Sequence, residues 1–287
     1  MFGYTIDELR DYWDKYCENG LPKVVERQHY VPVKYLEAWK TGRRIAVKVG
    51  VAEPRMVGLR DVAVKSWCYA FSPLSLLELE TVLDCAEPEN DYERHAFTLL
   101  FAGSIVPQIA KWMANGDGDA EAQLMRCTLE SKGFWSDVSE KAYIIRYLAN
   151  MRDSELCDKG YELLRKGSAE RIMTGIENSA WPYMRSVRNG KLGFMREPKG
   201  MAQWFEYVFL QMFRTMKFDS VLKNAADEAK VPYQIAEQMI PYLRFVYAIK
   251  MTCKAIASRD TYDFRLIKEC ERDSLYNKRP SICAAAV

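Results

Sequence analysis

From about residue 74 onward, apolar residues recur every three to four positions, in one long stretch after another. SPLSLLELETVL and YERHAFTLLFAGSIVPQIAKWM carry this spacing and are followed by the turn NGDGD at 115–119. A period near 3.6 places such residues on one face of a helix, so this part predicts helices packed through their apolar faces. SDVSEKAYIIRYLANM (136–151) continues the pattern, as does SAERIMTGIENSAW (168–181), which Pro182 is expected to stop. GMAQWFEYVFLQMFRTMKF gives the strongest helical signal. KVPYQIAEQMIPYLRFVYAIKMTCKAIA follows, with Pro241 as a break or kink.

The first 73 residues read differently. TIDE at Thr5–Glu8 resembles a capping box opening a first helix that Gly20 and Pro22 end. Val31 precedes Pro32 and is pushed toward an extended conformation, after which Val33, Leu36 and Trp39 line one face of a short helix. RRIAVKVGV (43–51) alternates and is rich in Val and Ile, a strand pattern. LRDVAVKSWCYAF (59–71) holds either a strand or a short helix followed by an extended piece. The expected fold is α+β and mainly α. A small β element lies within 1–73, and a compact multi-helix domain over 74–287 packs with it as one globular unit.

With 49% hydrophobic and 28% charged residues, the 287-residue chain can bury a proper core. Its 41 basic and 39 acidic residues leave +2, which excludes non-specific coating of DNA or anionic membranes but not a local basic groove. None of the eight cysteines forms a C-x-x-C pair, and the start lacks an apolar leader. The longest uncharged run, 96–110, is 15 residues, short of the ~20 that span a bilayer. A reduced, cytoplasmic protein with no membrane span follows as the expectation, its oligomeric state open. No Walker loop, G-x-G-x-x-G, H-E-x-x-H, G-x-S-x-G or zinc spacing occurs, so neither cofactor nor metal is expected.

Three places carry unusual chemistry. In Glu26-Arg27-Gln28-His29-Tyr30, alternation along an extended chain puts Arg27 and His29 on one face and Gln28 and Tyr30 on the other. An Arg–His face suits phosphate or carboxylate, and an imidazole exchanges protons near neutrality. The structural alternative, which this motif taken alone favours, is that His29 satisfies buried backbone groups where the segment turns into its helix. On the helix 200–218, Trp204, Val208, Gln211 and Thr215 make one stripe, with Arg214 leaning toward Gln211. A buried unpaired amide costs ~1–3 kcal/mol, so Gln211 needs a partner, in a site or in a structural network. Glu177-Asn178, followed by Trp181, Arg185 and Arg188, supplies a carboxylate with a basic rim, or else a solvated helical face. Tyr233 and Glu237, four apart, form a further hydrogen-bonding pair.

QHYVPVKYLEAW resembles the opening signature of a mainly bacterial family, domain of unknown function 4238, whose members begin with a Q-H-Y-V-P-x-x-Y-L-type motif. GLRDVAVKSWCYAF is similar to its K-N-V-A…F-Y region, IENSAWPYM to its I-E-x-x-x-x-P helix, and FLQMFRTMK to its Q-x-F-R-T-K helix. The matches run in order along most of the chain. The family's later F-I-T-S-D-x-P-type segment has no counterpart in DFRLIKECERDSLYNKRPSICAAAV, so no role of that Ser-Asp pair carries over. Some relatives are single-gene defences against bacteriophage, and the resemblance implies a stand-alone antiphage effector that arrests growth. It gathers His29, Glu177 and Arg214 as catalytic candidates, with Arg27, Gln28, Tyr30, Gln211 and Thr215 as substrate-binding ones. A histidine, a carboxylate and an arginine suit metal-independent cleavage of RNA or DNA: His29 as base or acid, Glu177 tuning it, Arg214 on phosphate, and Gln211 and Tyr30 orienting. The alternative is a non-catalytic sensor or toxin that binds a phage or host protein through its aromatic-rich helices. A small-molecule transferase is a third, weaker option. Nucleic acid or a phage protein is accordingly the expected partner.

Overall fold

The structure is a computed structural model that describes residues 26–29, 31–48, 51–115, 119–134, 154–259, 264–268 and 282–286. The helices expected at 5–20 and 136–151 lie outside the described residues.

Near the N-terminus two small antiparallel ribbons form. Strand β1 (Arg27–His29) pairs with β4 (Val64–Ser66), His29 opposite Val64. Between them, β2 (Arg44–Val47) pairs with β3 (Arg55–Gly58). The short helix α1 (Val33–Leu36) starts at Pro32, whose carbonyl accepts from the Leu36 amide at 3.1 Å. Leu36 is buried but Trp39, in a 3-10 turn, is exposed, so the two do not share a buried face. A further 3-10 turn, Leu59–Asp61, precedes β4, so 59–71 holds both of the forms the sequence leaves open.

Helices dominate the rest, making the fold α+β and mainly α. Helix α2 (Leu76–Cys85) begins in a capping box: Ser75 Oγ accepts from the Glu78 amide and Glu78 returns the bond to the Ser75 amide. Helix α3 (Asp91–Asn115) and α4 (Asp119–Ser131) follow. Then come α5 (Ser154–Arg188), α6 (Pro198–Phe213), α7 (Met216–Glu228) and α8 (Tyr233–Ala257). An antiparallel pair, β5 (Phe264–Lys268) with β6 (Ile282–Ala286), which the sequence reading did not foresee, lies beyond them. The core joins Phe71, Leu79 and Phe97 to Phe134, Tyr242 and Phe245, all buried. Gln108 threads this core and holds both the Leu74 amide (2.9 Å) and the Leu74 carbonyl (2.6 Å).

Two helix boundaries differ from expectation, and Pro241 does not break its helix. Helix α5 does not stop at Pro182 but continues to Arg188. The lost backbone donor is offset because the turns beyond it pack: Val187 is buried, and Tyr183 donates to Gln203 of α6 at 2.9 Å and meets the Phe194 ring, tilted, at 4.7 Å. Helix α8 runs through Pro241, flanked by buried Ile240 and Tyr242. Conversely, 200–218 is two helices. Arg214 terminates α6, and Thr215 turns outward as the N-cap of α7, accepting from the Phe218 amide at 3.3 Å.

Candidate functional site

Strand β1 sits on the helices through Gln28. Alternation turns this side chain inward, where it is fully buried, donating to the Lys166 carbonyl of α5 (3.1 Å) and accepting from the Tyr69 amide (2.8 Å). Its amide therefore joins three separate backbones. Arg27 and His29 point the other way. Arg27 is exposed and paired with Asp61 at 3.0 Å, while His29 is half-buried.

The main chain of His29 is held separately from its ring. Its carbonyl accepts from the Tyr69 hydroxyl at 2.9 Å and from Arg214 Nη2. Arg214, 2% exposed, also donates to Glu177 of α5 at 2.6 Å, the carboxylate side chain being 20% exposed. Helix α6 thus delivers, at its last turn, one guanidinium that fastens strand β1 to helix α5. The Tyr69 ring lies between two buried arginines, 5.3 Å from Arg214 and 5.8 Å from Arg244. Arg244 of α8 is clamped by Asp219 of α7 at 2.6 and 2.8 Å and donates to the Cys68 carbonyl at 3.1 Å.

The His29 ring has one committed nitrogen. Nδ1 lies 3.1 Å from the Val62 carbonyl, an acceptor only, so Nδ1 carries the proton and donates. Nε2 then presents a lone pair, and no hydrogen bond engages it among the described residues. Burial lowers the imidazole pKa below its ordinary value; the Val62 bond opposes this, and Arg214 and Arg27 add to it. The ring is a neutral base at physiological pH. Ala63, next to Val62, has φ +54°, and Trp67 has φ +53°, so left-handed non-glycine residues bracket β4 beside the ring.

A residue the sequence reading passed over belongs with these. Glu170 precedes Glu177 by two turns on the same face of α5. Burial pushes its carboxyl up to about 7, against the pull of Arg214 and with the help of Glu177. No hydrogen bond engages it among the described residues. Its signal was the i, i+7 repeat of carboxylates, but burial is not visible in local sequence. Since the folded carboxyl keeps its proton longer than an unfolded one, its stability contribution is full below about 4.5 and is lost as pH rises through about 7. Glu170→Gln is expected to flatten this slope, matching wild type near pH 4.5 and melting a few degrees above it at pH 8. Thermal unfolding by circular dichroism across pH checks it.

The other candidates fall as follows. Gln211 lies three residues before Arg214 on α6, and its Nε2 is buried without any partner among the described residues. Thr215 is exposed, its hydroxyl taken up by the α7 cap and the Met212 carbonyl. Tyr30 lies outside the described residues. Tyr233 and Glu237 do meet at 3.2 Å, and Lys223 joins them, well away from β1 in sequence and on an exposed face. Among the described residues no three His, Cys, Asp or Glu side chains group as metal ligands, and no helix is long and apolar enough to cross a membrane.

Comparison with protein-family models, curated proteins and solved structures finds no match. The chemistry of the site must therefore be read from its own groups.

Proposed function

We propose that this protein cleaves RNA by a metal-independent acid–base mechanism. The observation that carries it is the His29 ring, fixed by the Val62 carbonyl so that Nε2 presents its lone pair, on a main chain anchored by Tyr69 and Arg214. His29 Nε2 takes the proton of a ribose 2′-hydroxyl, whose oxygen attacks the adjacent phosphorus. The bond from phosphorus to the 5′-oxygen breaks, and the Glu170 carboxyl gives that oxygen its proton. The products are a 2′,3′-cyclic phosphate and a free 5′-hydroxyl. A base with a lowered pKa paired with an acid at about 7 is the separation such a reaction uses.

Arg214 acts here as a positioning residue, because its donors are committed to Glu177 and the His29 carbonyl. Arg27, exposed on the same strand face as His29, takes the phosphate instead. Its pair with Asp61 is a surface contact of under ~1 kcal/mol and opens at little cost. Gln211 supplies a further donor, for which a substrate oxygen is the missing acceptor. The ordered resemblance to domain of unknown function 4238 proteins supports antiphage defence by growth arrest as the setting.

A second reading keeps one observation on its side. Gln28 and Arg214 are buried and bonded to main chain, as expected of a non-catalytic protein that binds a phage or host protein. The two are separated by incubating purified protein with 5′-labelled single-stranded RNA in EDTA. Cleavage is expected to leave cyclic phosphate ends and to spare any linkage whose 2′-hydroxyl is replaced by hydrogen. An uncut RNA, or an all-deoxy strand cut equally well, would remove the mechanism.

A further inference from the structure

The overall charge is close to balanced, but the basic residues are not evenly spread. Between 185 and 199 the chain carries Arg185, Arg188, Lys191, Arg196 and Lys199 against the single acid Glu197, and all five basic side chains are exposed. Arg185 lies over the Trp181 ring at 5.9 Å, and the other four have no partner among the described residues. They form one surface. The 3-10 turn Gly193–Arg196 and the start of α6 are held against the end of α5 by Tyr183–Phe194 (4.7 Å) and Phe194–Trp204 (5.9 Å), three rings that are half-buried.

This surface is continuous with the site. Glu170, Glu177, Trp181 and Arg188 stand at i, i+7, i+11 and i+18 of α5, within an arc of about 40° around its axis. The stripe starts half-buried near Arg214 and ends exposed at Arg188, about 27 Å away at 1.5 Å per residue. Unpaired cations fit phosphates, and aromatic faces between them fit bases that are not stacked in a duplex. A membrane surface would need apolar side chains standing out beside the charges, yet among the described residues every large exposed hydrophobic one lies outside this segment.

We propose that the end of α5 and the segment 191–199 form a track for single-stranded nucleic acid, leading along α5 to His29. Arg188, Lys191, Arg196 and Lys199 contact phosphates, and the Trp181–Arg185 pair offers a stacking face. The inference deepens the RNA-cleavage reading and rests on it for the direction in which the strand runs.

Binding of a fluorescein-labelled 2′-O-methyl 20-mer, which lacks the hydroxyl needed for cleavage, tests the track apart from the chemistry. Four phosphate contacts predict a slope of log affinity on log salt near about −2.8, falling to about −0.7 in the variant R188E/K191E/R196E. Its affinity at low salt is expected to drop at least thirtyfold, while R44E/K48E/R55E on the β2–β3 ribbon binds as wild type does. All six residues are exposed, so melting temperatures are expected to stay within a few degrees. Unchanged binding by the first variant overturns the track. So does a wild type that ignores the oligonucleotide, or one that binds only phosphatidylserine vesicles. Specific binding without RNA cleavage leaves the track standing and removes the mechanism; cleavage with an unchanged KM in the first variant does the reverse.

Discussion

His29→Ala is expected to slow RNA cleavage by about a hundred- to ten-thousandfold, the range that loss of a positioned base produces. It should do so in a protein that still folds. The ring contributes one half-buried hydrogen bond, to Val62, worth about 1 kcal/mol, so the melting temperature should move by only a few degrees. In the wild type the rate should rise as His29 loses its proton, below the usual imidazole range, and fall as Glu170 loses its own at about 7. The acid limb of this bell should vanish in the alanine variant. With only two histidines in the chain, the His29 titration can be followed directly by nuclear magnetic resonance. A variant that cleaves at the wild-type rate sinks the proposed mechanism, and an early-melting one makes His29 a structural group.

Arg214→Ala is the change with the largest expected effect on stability. It strips the partly buried Glu177 carboxylate of its partner and removes one of the two donors to the His29 carbonyl. Breaking a buried pair from one side costs about 3–5 kcal/mol, which corresponds to roughly 10 °C of melting temperature here. Arg214→Lys keeps the charge but cannot bridge Glu177 and the His29 carbonyl with one planar fork, so it should lie between. In that variant kcat should fall more than KM, and the titration of His29 should shift. A lysine variant whose kcat, KM and imidazole titration all match wild type would show that Arg214 does not position the ring.

Much of the fold can be read locally. The Ser75–Glu78 box, the Val- and Ile-rich alternation of β2 and the long apolar periods of α3 and α8 are each written within a few turns of sequence. Pro182 and Thr215 mislead for opposite reasons. Packing by Tyr183 and Val187 carries α5 past a proline, whereas a single threonine cap ends a helical pattern that spacing alone would continue. In the candidate site, alternation on β1 correctly separates Gln28 from Arg27 and His29. What Gln28 grips, the Tyr69 amide and the Lys166 carbonyl, lies 41 and 138 residues away and leaves no trace in the motif. Glu170 is silent for the same reason: its carboxyl is altered by what surrounds it in space.

The double anchoring of the His29 carbonyl bears on how this position varies among natural sequences. Tyr69 and Arg214 grip an atom that every amino acid possesses, so drift at position 29 would leave the strand seated. Folding alone therefore exerts little selection for an imidazole there. Wherever descendants of this chain keep histidine at this point while the residues around it change, the retained ring is a record of selected chemistry.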